Sequence, residues 1–187
     1  MSLDDERVRF YFRHRDQIEE WAALRSEAAA AIDEWFFAMR PDVEALARDL
    51  GPGVVLHVID EAGVAYPSYR LVRDSWPESS NSDPVASVSL EWVRGRTTLR
   101  ASTSPYVGLR AAKDRALGAP LREAEALRKV RARRKDTTTT WWAAYGYVLP
   151  TAAFPEGADE YRSRVLEALR LAWADYAPLV DGLIVSR

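Results

Sequence analysis

The chain has 187 residues, 48% of them apolar, and 26 basic against 28 acidic side chains give it a net charge of −2. That length suits one domain able to bury about 70% of the surface its unfolded form exposes, so stability requires neither disulfide nor metal. The absence of cysteine excludes disulfides, thiolate nucleophiles, Cys-ligated zinc and iron–sulfur clusters.

Met1 to Glu6 is acidic and polar, unlike a secretory signal, and no apolar run approaches the roughly 20 residues of a membrane span. The expectation is a soluble, cytoplasmic protein without a membrane partner. Lys113, Lys129 and Lys135 are the only lysines among the 26 basic residues. This arginine bias, with abundant alanine, points to a GC-rich bacterial coding genome. Tryptophan is enriched, with seven residues, most of which are expected in the core.

In chain order, residues 1–40 lack Gly and Pro, and Ile18, Trp21, Leu24, Ala28, Ile32, Trp35 and Met39 recur at helical spacing. One long helix is predicted, with Asp4, Asp5 and Glu6 at its positive end. Pro41 ends it and can begin a second helix, striped by Val43, Leu46, Ala47 and Leu50 and stopped by Gly51. The period then changes. Val54–Ile59 is a β-branched strand closed by the turn Asp60–Gly63. Val64–Arg73 is a second strand, which Pro67 marks as an edge or a bulge. Trp76–Pro84 is a loop of turn-forming residues.

Ala86, Val88, Leu90 and Trp92 alternate with polar residues. A two-residue turn at Gly95-Arg96 would pair Trp92 with Leu99, Leu90 with Ala101 and Glu91 with Arg100. Tyr106–Leu109 is a further short strand, Pro120–Lys135 a helix, and Thr137–Leu149 is β-like. Asp159–Tyr176 is the last helix, ended by Pro178, with a short tail over 179–187. The sum is one α+β domain over 1–187. It holds a helical part (1–50) that is a long helix or helical hairpin, a β-meander (54–110) and a helix–strand–helix part (111–187). The sheet should be mainly antiparallel with about four to six strands and two further helices packed on it.

Most reaction classes lack their parts. There is no phosphate-binding glycine loop, no HExxH, no GxSxG and no EF-hand loop. The two histidines, His14 and His57, are far apart; His57 lies in an apolar strand and is expected to be a buried core residue. The acidic pairs Glu19-Glu20 and Asp33-Glu34 sit at adjacent helical positions that do not face one another. Catalytic residues, cofactor and metal are therefore expected to be none. A hydrolase with scattered carboxylates is one alternative.

Charge is unevenly spread. Residues 110–135 carry ten basic and three acidic groups, a local charge of +7 in a chain of −2. The densest part comprises Arg128, Lys129, Arg131, Arg133, Arg134 and Lys135, and Trp141 follows shortly. Clustered arginine suits phosphates, and an aromatic beside it offers bases a stacking surface. The competing explanation is internal pairing of this helix with carboxylates elsewhere, for instance on the first helices. The sequence-based expectation is a non-enzymatic binding or accessory protein. It would contact nucleic acid or another anionic partner through Arg128–Lys135 and Trp141. A protein partner or homo-oligomer formed through the long N-terminal helix is the other alternative.

Overall fold

A computed structural model of the chain describes residues 5–78, 84–97, 99, 105–114, 116–151 and 156–186. The elements run α1 (Glu6–Arg13), α2 (Arg15–Phe37), α3 (Arg40–Asp49), β1 (Val54–Ile59), β2 (Ser68–Arg73), β3 (Ser87–Glu91) and β4 (Tyr106–Arg110). They continue with α4 (Gly118–Glu123), α5 (Glu125–Arg134), β5 (Trp142–Tyr147) and α6 (Ala158–Val185). The fold is α+β.

The strands form one antiparallel meander in the order β1-β2-β3-β4-β5. Helices cover one face: α3 lies over β1 and β2, α6 over β3 and β4, and α4 against β5. On that face Tyr69, Leu71, Val88, Leu90, Val107 and Leu109 alternate inward and meet Val165, Leu169 and Trp173 of α6. Leu71, Leu90 and Leu109 are fully buried, so truncating any one to alanine costs about 2–5 kcal/mol.

The N-terminal helical region differs from one long helix. Asp5 caps α1 by accepting from the Arg7 amide at 2.9 Å, and the backbone breaks at His14 (φ −118°, ψ 16°). The break lets Tyr11 of α1 donate its hydroxyl to Glu19 of α2. A second break follows Phe37, and Pro41 stands in the first turn of α3, where its missing N–H costs nothing.

Two strand expectations are corrected. Pro67 precedes β2, and β2 lies between β1 and β3 rather than at an edge. The hairpin expected about Gly95 finds no free edge on β3 at Leu90 and Glu91. Leu90 is already flanked by Tyr69 on β2 and Val107 on β4, and Glu91 by Ser68 and Tyr106. Beyond β3 the chain pairs backwards: the Trp92 amide donates to Pro67 O and the Arg94 amide to Ala65 O. Arg100 and Ala101 lie outside the described residues.

Two helix limits also change. The stretch 118–134 is two helices, split at Ala124, whose extended backbone (ψ 124°) breaks the hydrogen-bond ladder. Pro178 does not end α6, which runs on to Val185. A proline inside a helix costs about 3 kcal/mol. Here the turn beyond it is held by buried Val180 and by Asp181, which accepts from Arg73 Nε at 3.0 Å and Trp76 Nε1 at 2.7 Å. No helix among the described residues is long and apolar enough to cross a membrane.

Candidate functional site

The face of the sheet turned away from the helices is polar and aromatic. The register places Ile59, Ser68, Glu91, Tyr106 and Tyr147 in one row across the five strands. The next row is His57, Arg70, Ser89, Gly108 and Tyr145. Small residues at the centre of the second row and larger ones outside it make a concave surface. The hollow holds about 680 Å³, within the range of ligand pockets.

Gly108 sets part of this shape. A Cβ there would stand 2.1 Å from Ala144 O and 2.6 Å from Tyr145 Cα, so β4 and β5 approach as closely as they do only because residue 108 lacks one.

The charged groups of the hollow are Arg70, Glu91 and Arg110. Glu91 is 6% and Arg70 7% exposed, far below the usual exposure of charged residues. The Tyr106 hydroxyl donates to Glu91 Oε1. Arg110 Nε lies 3.7 Å from Glu91 Oε2, near enough for charge attraction but beyond hydrogen-bond distance. Arg70 Nε donates to Ser68 Oγ at 3.1 Å. Burial pushes the Glu91 carboxyl above its ordinary range, against the opposing pull of the Tyr106 hydrogen bond and of Arg110 and Arg70. Burial, with Glu91 beside it, also pushes the Tyr106 phenol far up, so it stays protonated and serves as a donor.

Aromatic side chains form the walls. Tyr106, Trp142 and Tyr145 pack edge-on or tilted at 5.2–5.9 Å between ring centroids, and the Arg110 guanidinium lies 5.8 Å over the Trp141 ring. Trp142 is buried on this outer face, whereas Tyr66, Trp141 and Tyr147 stand exposed at the rim. With two arginines and one glutamate the hollow carries a net charge of +1 when Glu91 is ionised. It presents π-faces beside that charge. The described lining contains a single carboxylate, so the paired acids of the hydrolase alternative are not gathered there.

The residues singled out by charge are split between two places. Trp141 lines the hollow, but Arg128, Lys129, Arg131, Arg133, Arg134 and Lys135 lie on α5 or its C-cap, which packs against α6. Several of these cations are engaged within the chain. Arg133 bonds Asp175, and Arg134 bonds Asp175 at 3.0 Å and Asp136 at 3.1 Å. Asp136 also accepts from Tyr176. Lys129 pairs with Glu125 at 2.8 Å in full solvent. Their counter-charges thus come from α6, the C-cap segment and α5 itself rather than from the first helices. Arg128 and Lys135 are exposed, and Arg131 is half-buried.

Composition overlooks Arg122, which ties the basic segment to the hollow. Its guanidinium donates to the carbonyls of Ala111, Gly118, Thr139 and Thr140 at 2.8–3.1 Å, clamping the segment that presents Trp141. Burial pushes its pKa down, and nearby Arg131 adds to the shift. His57 is half-buried opposite Arg70 on the outer face, not in the helix-covered core. Comparison with protein-family models, with curated proteins and with solved structures returned no match.

Proposed function

We propose that the protein is a binding protein whose outer sheet face takes a planar, anion-bearing ligand of the nucleotide kind, with the anion on Arg110 and Arg70 and the ring against the aromatic wall. One observation carries this reading. Arg110 Nε is buried and has no hydrogen-bond partner among the described residues, in a hollow lined by Tyr106, Trp141, Trp142 and Tyr145. A buried charged donor left without a partner is costly, and a phosphate or carboxylate oxygen supplies the missing acceptor. Base–aromatic stacking contributes about 1–3 kcal/mol, and exposed Trp141 and Tyr147 are placed to give it.

The test is a titration of intrinsic fluorescence, to which Trp141 and Trp142 contribute. Probes are adenosine monophosphate, adenosine, inorganic phosphate and single-stranded oligothymidylate. The expected result is saturable quenching by the monophosphate, weaker by adenosine or phosphate alone. Tighter, salt-dependent binding of the oligonucleotide would identify the nucleotide as part of a strand. No saturation with any of the four ends the proposal.

A second reading keeps the cationic α5 as the contact for nucleic acid, through exposed Arg128 and Lys135. It is supported by the local charge and opposed by the internal pairing of Arg133 and Arg134 with Asp175.

A further inference from the structure

We infer that two copies of the chain associate through the free half of α2 as a short, parallel, two-stranded coiled coil. The helix is 23 residues long, yet its described buried residues, Ala29, Ile32 and Phe36, all fall in its second half. Before Ala29 the helix projects from the body. Trp21 is 66% and Leu24 54% exposed there, both large apolar side chains that a solvated helix has no need of.

Their spacing is that of a seam. Gln17, Trp21, Leu24, Ala28 and Ala31 follow one another at steps of four, three, four and three residues and are all exposed. This is the a/d heptad pattern, with Trp21 and Ala28 at a and Leu24 and Ala31 at d. The small residues Ala28 and Ala31 let the helix backbones draw together towards the body. Among the described residues nothing buries the seam. α1 reaches the opposite side of α2, where Tyr11 donates to Glu19, and half-buried Ile18 lies on the body-facing flank with Ile32, about a quarter-turn from the seam. The stripe Ala29, Ile32 and Phe36, which faces the body, lies about a quarter-turn from the seam. Two-fold rotation about the seam therefore sends the two bodies to opposite sides of the helix pair.

Charge selects the occupant and its direction. Glu20 and Glu27 flank the seam at g, and Arg25 flanks it at e. In a parallel pair, g of one helix meets e of the other five residues on, so Glu20 faces the partner's Arg25 twice by symmetry. An antiparallel pair would set the acidic flank against itself. A second copy in parallel is thus the complementary partner.

Sedimentation of the full chain over a hundredfold concentration range tests this. The expected mass rises from 21.1 kDa towards twice that value. Trp21→Glu and Leu24→Glu should each hold the mass at monomer with an unchanged circular dichroism spectrum. Glu20→Arg or Arg25→Glu should weaken association several-fold, and the two together should restore it. Because the chain has no cysteine, Ala28→Cys provides a direct test of direction: air oxidation should give a covalent dimer, and Ala23→Cys on the far side should not. A monomer at every concentration, a dimer that survives Trp21→Glu, or equal cross-linking at positions 23 and 28 overturns the inference.

Discussion

Tyr106 stands directly across β3–β4 from Glu91 and donates its hydroxyl to the Glu91 carboxylate. Across β2–β3, Glu91 faces Ser68, which accepts from Arg70, and Arg110 approaches its other oxygen at 3.7 Å. One buried carboxylate therefore sits between two cations in an aromatic hollow. Its proton sets the charge that the hollow offers to a ligand.

The pH response follows from that proton. Burial raises the Glu91 carboxyl above its ordinary value of 4.5, so the folded protein takes up the proton before the unfolded chain does. Its contribution to stability grows as pH falls through the raised value and is complete below 4.5. In the same window the hollow goes from +1 to +2, and anion affinity should rise. Glu91→Gln should bind the monophosphate more tightly at neutral pH and flatten both profiles. Affinity and melting temperature, measured from pH 7 down to pH 4.5, check this.

Gly108→Ala should be among the most damaging single-methyl additions. Its Cβ meets backbone atoms of β5 at 2.1 and 2.6 Å, which cannot move without opening the ladder. A loss of roughly 1–3 kcal/mol or more is expected from overpacking of this kind. Urea unfolding measures it, and a midpoint like that of the unmodified chain would contradict the close approach of β4 and β5.

Arg133 and Arg134 share Asp175 but should respond differently. The Arg134 side chain is 18% exposed and makes two ion pairs, while that of Arg133 is 64% exposed and makes one. Arg133→Ala should cost under about 1 kcal/mol, as exposed pairs do. Arg134→Ala should cost about 1–3 kcal/mol, because it takes the shared cation from two carboxylates and leaves Asp136 with Tyr176 and Asp175 with Arg133. Asp175→Asn should likewise destabilise. It should also strengthen any salt-dependent attraction of α5 to oligonucleotides, which a binding isotherm at two salt concentrations would record.

Arg122→Met keeps the apolar stem and removes donors from four carbonyls. A stability loss of about 2 kcal/mol is expected, within the range for hydrogen bonds from a charged donor. The Trp141 segment should also exchange its amide hydrogens faster, as mass spectrometry would detect. Unchanged exchange there would remove Arg122 from the support of the hollow.

The parts of the fold that were legible in sequence are those where periodicity is strong and local. The α6 stripe Tyr161, Val165, Leu169, Ala172, Trp173 and Tyr176 is buried throughout, and β1 ends where the turn residues begin. The misread parts depend on distant competitors. A Gly95 turn looks like a hairpin closure until β2 and β4 claim both edges of β3. Pro178 reads as a stop until Asp181 is seen to be anchored by Arg73 and Trp76, more than 100 residues away in sequence. The hollow was hidden for the same reason. Arg70, Glu91, Tyr106, Arg110 and Tyr145 come from four strands and share no local motif. Their one trace is that each strand is polar or aromatic at alternate positions, which becomes a site only once the meander register is known.

The most direct test maps where the ligand sits. Nitrogen–proton NMR spectra of the full chain, titrated with adenosine monophosphate, resolve the indole signals of the tryptophans. Shifts at Trp141 and Trp142, with Trp76 and Trp173 in the core unmoved and the response abolished by Arg110→Gln, are the expected result. Shifts confined to backbone amides of Arg128 to Lys135, or a response that Arg110→Gln leaves intact, would contradict the hollow as the binding site.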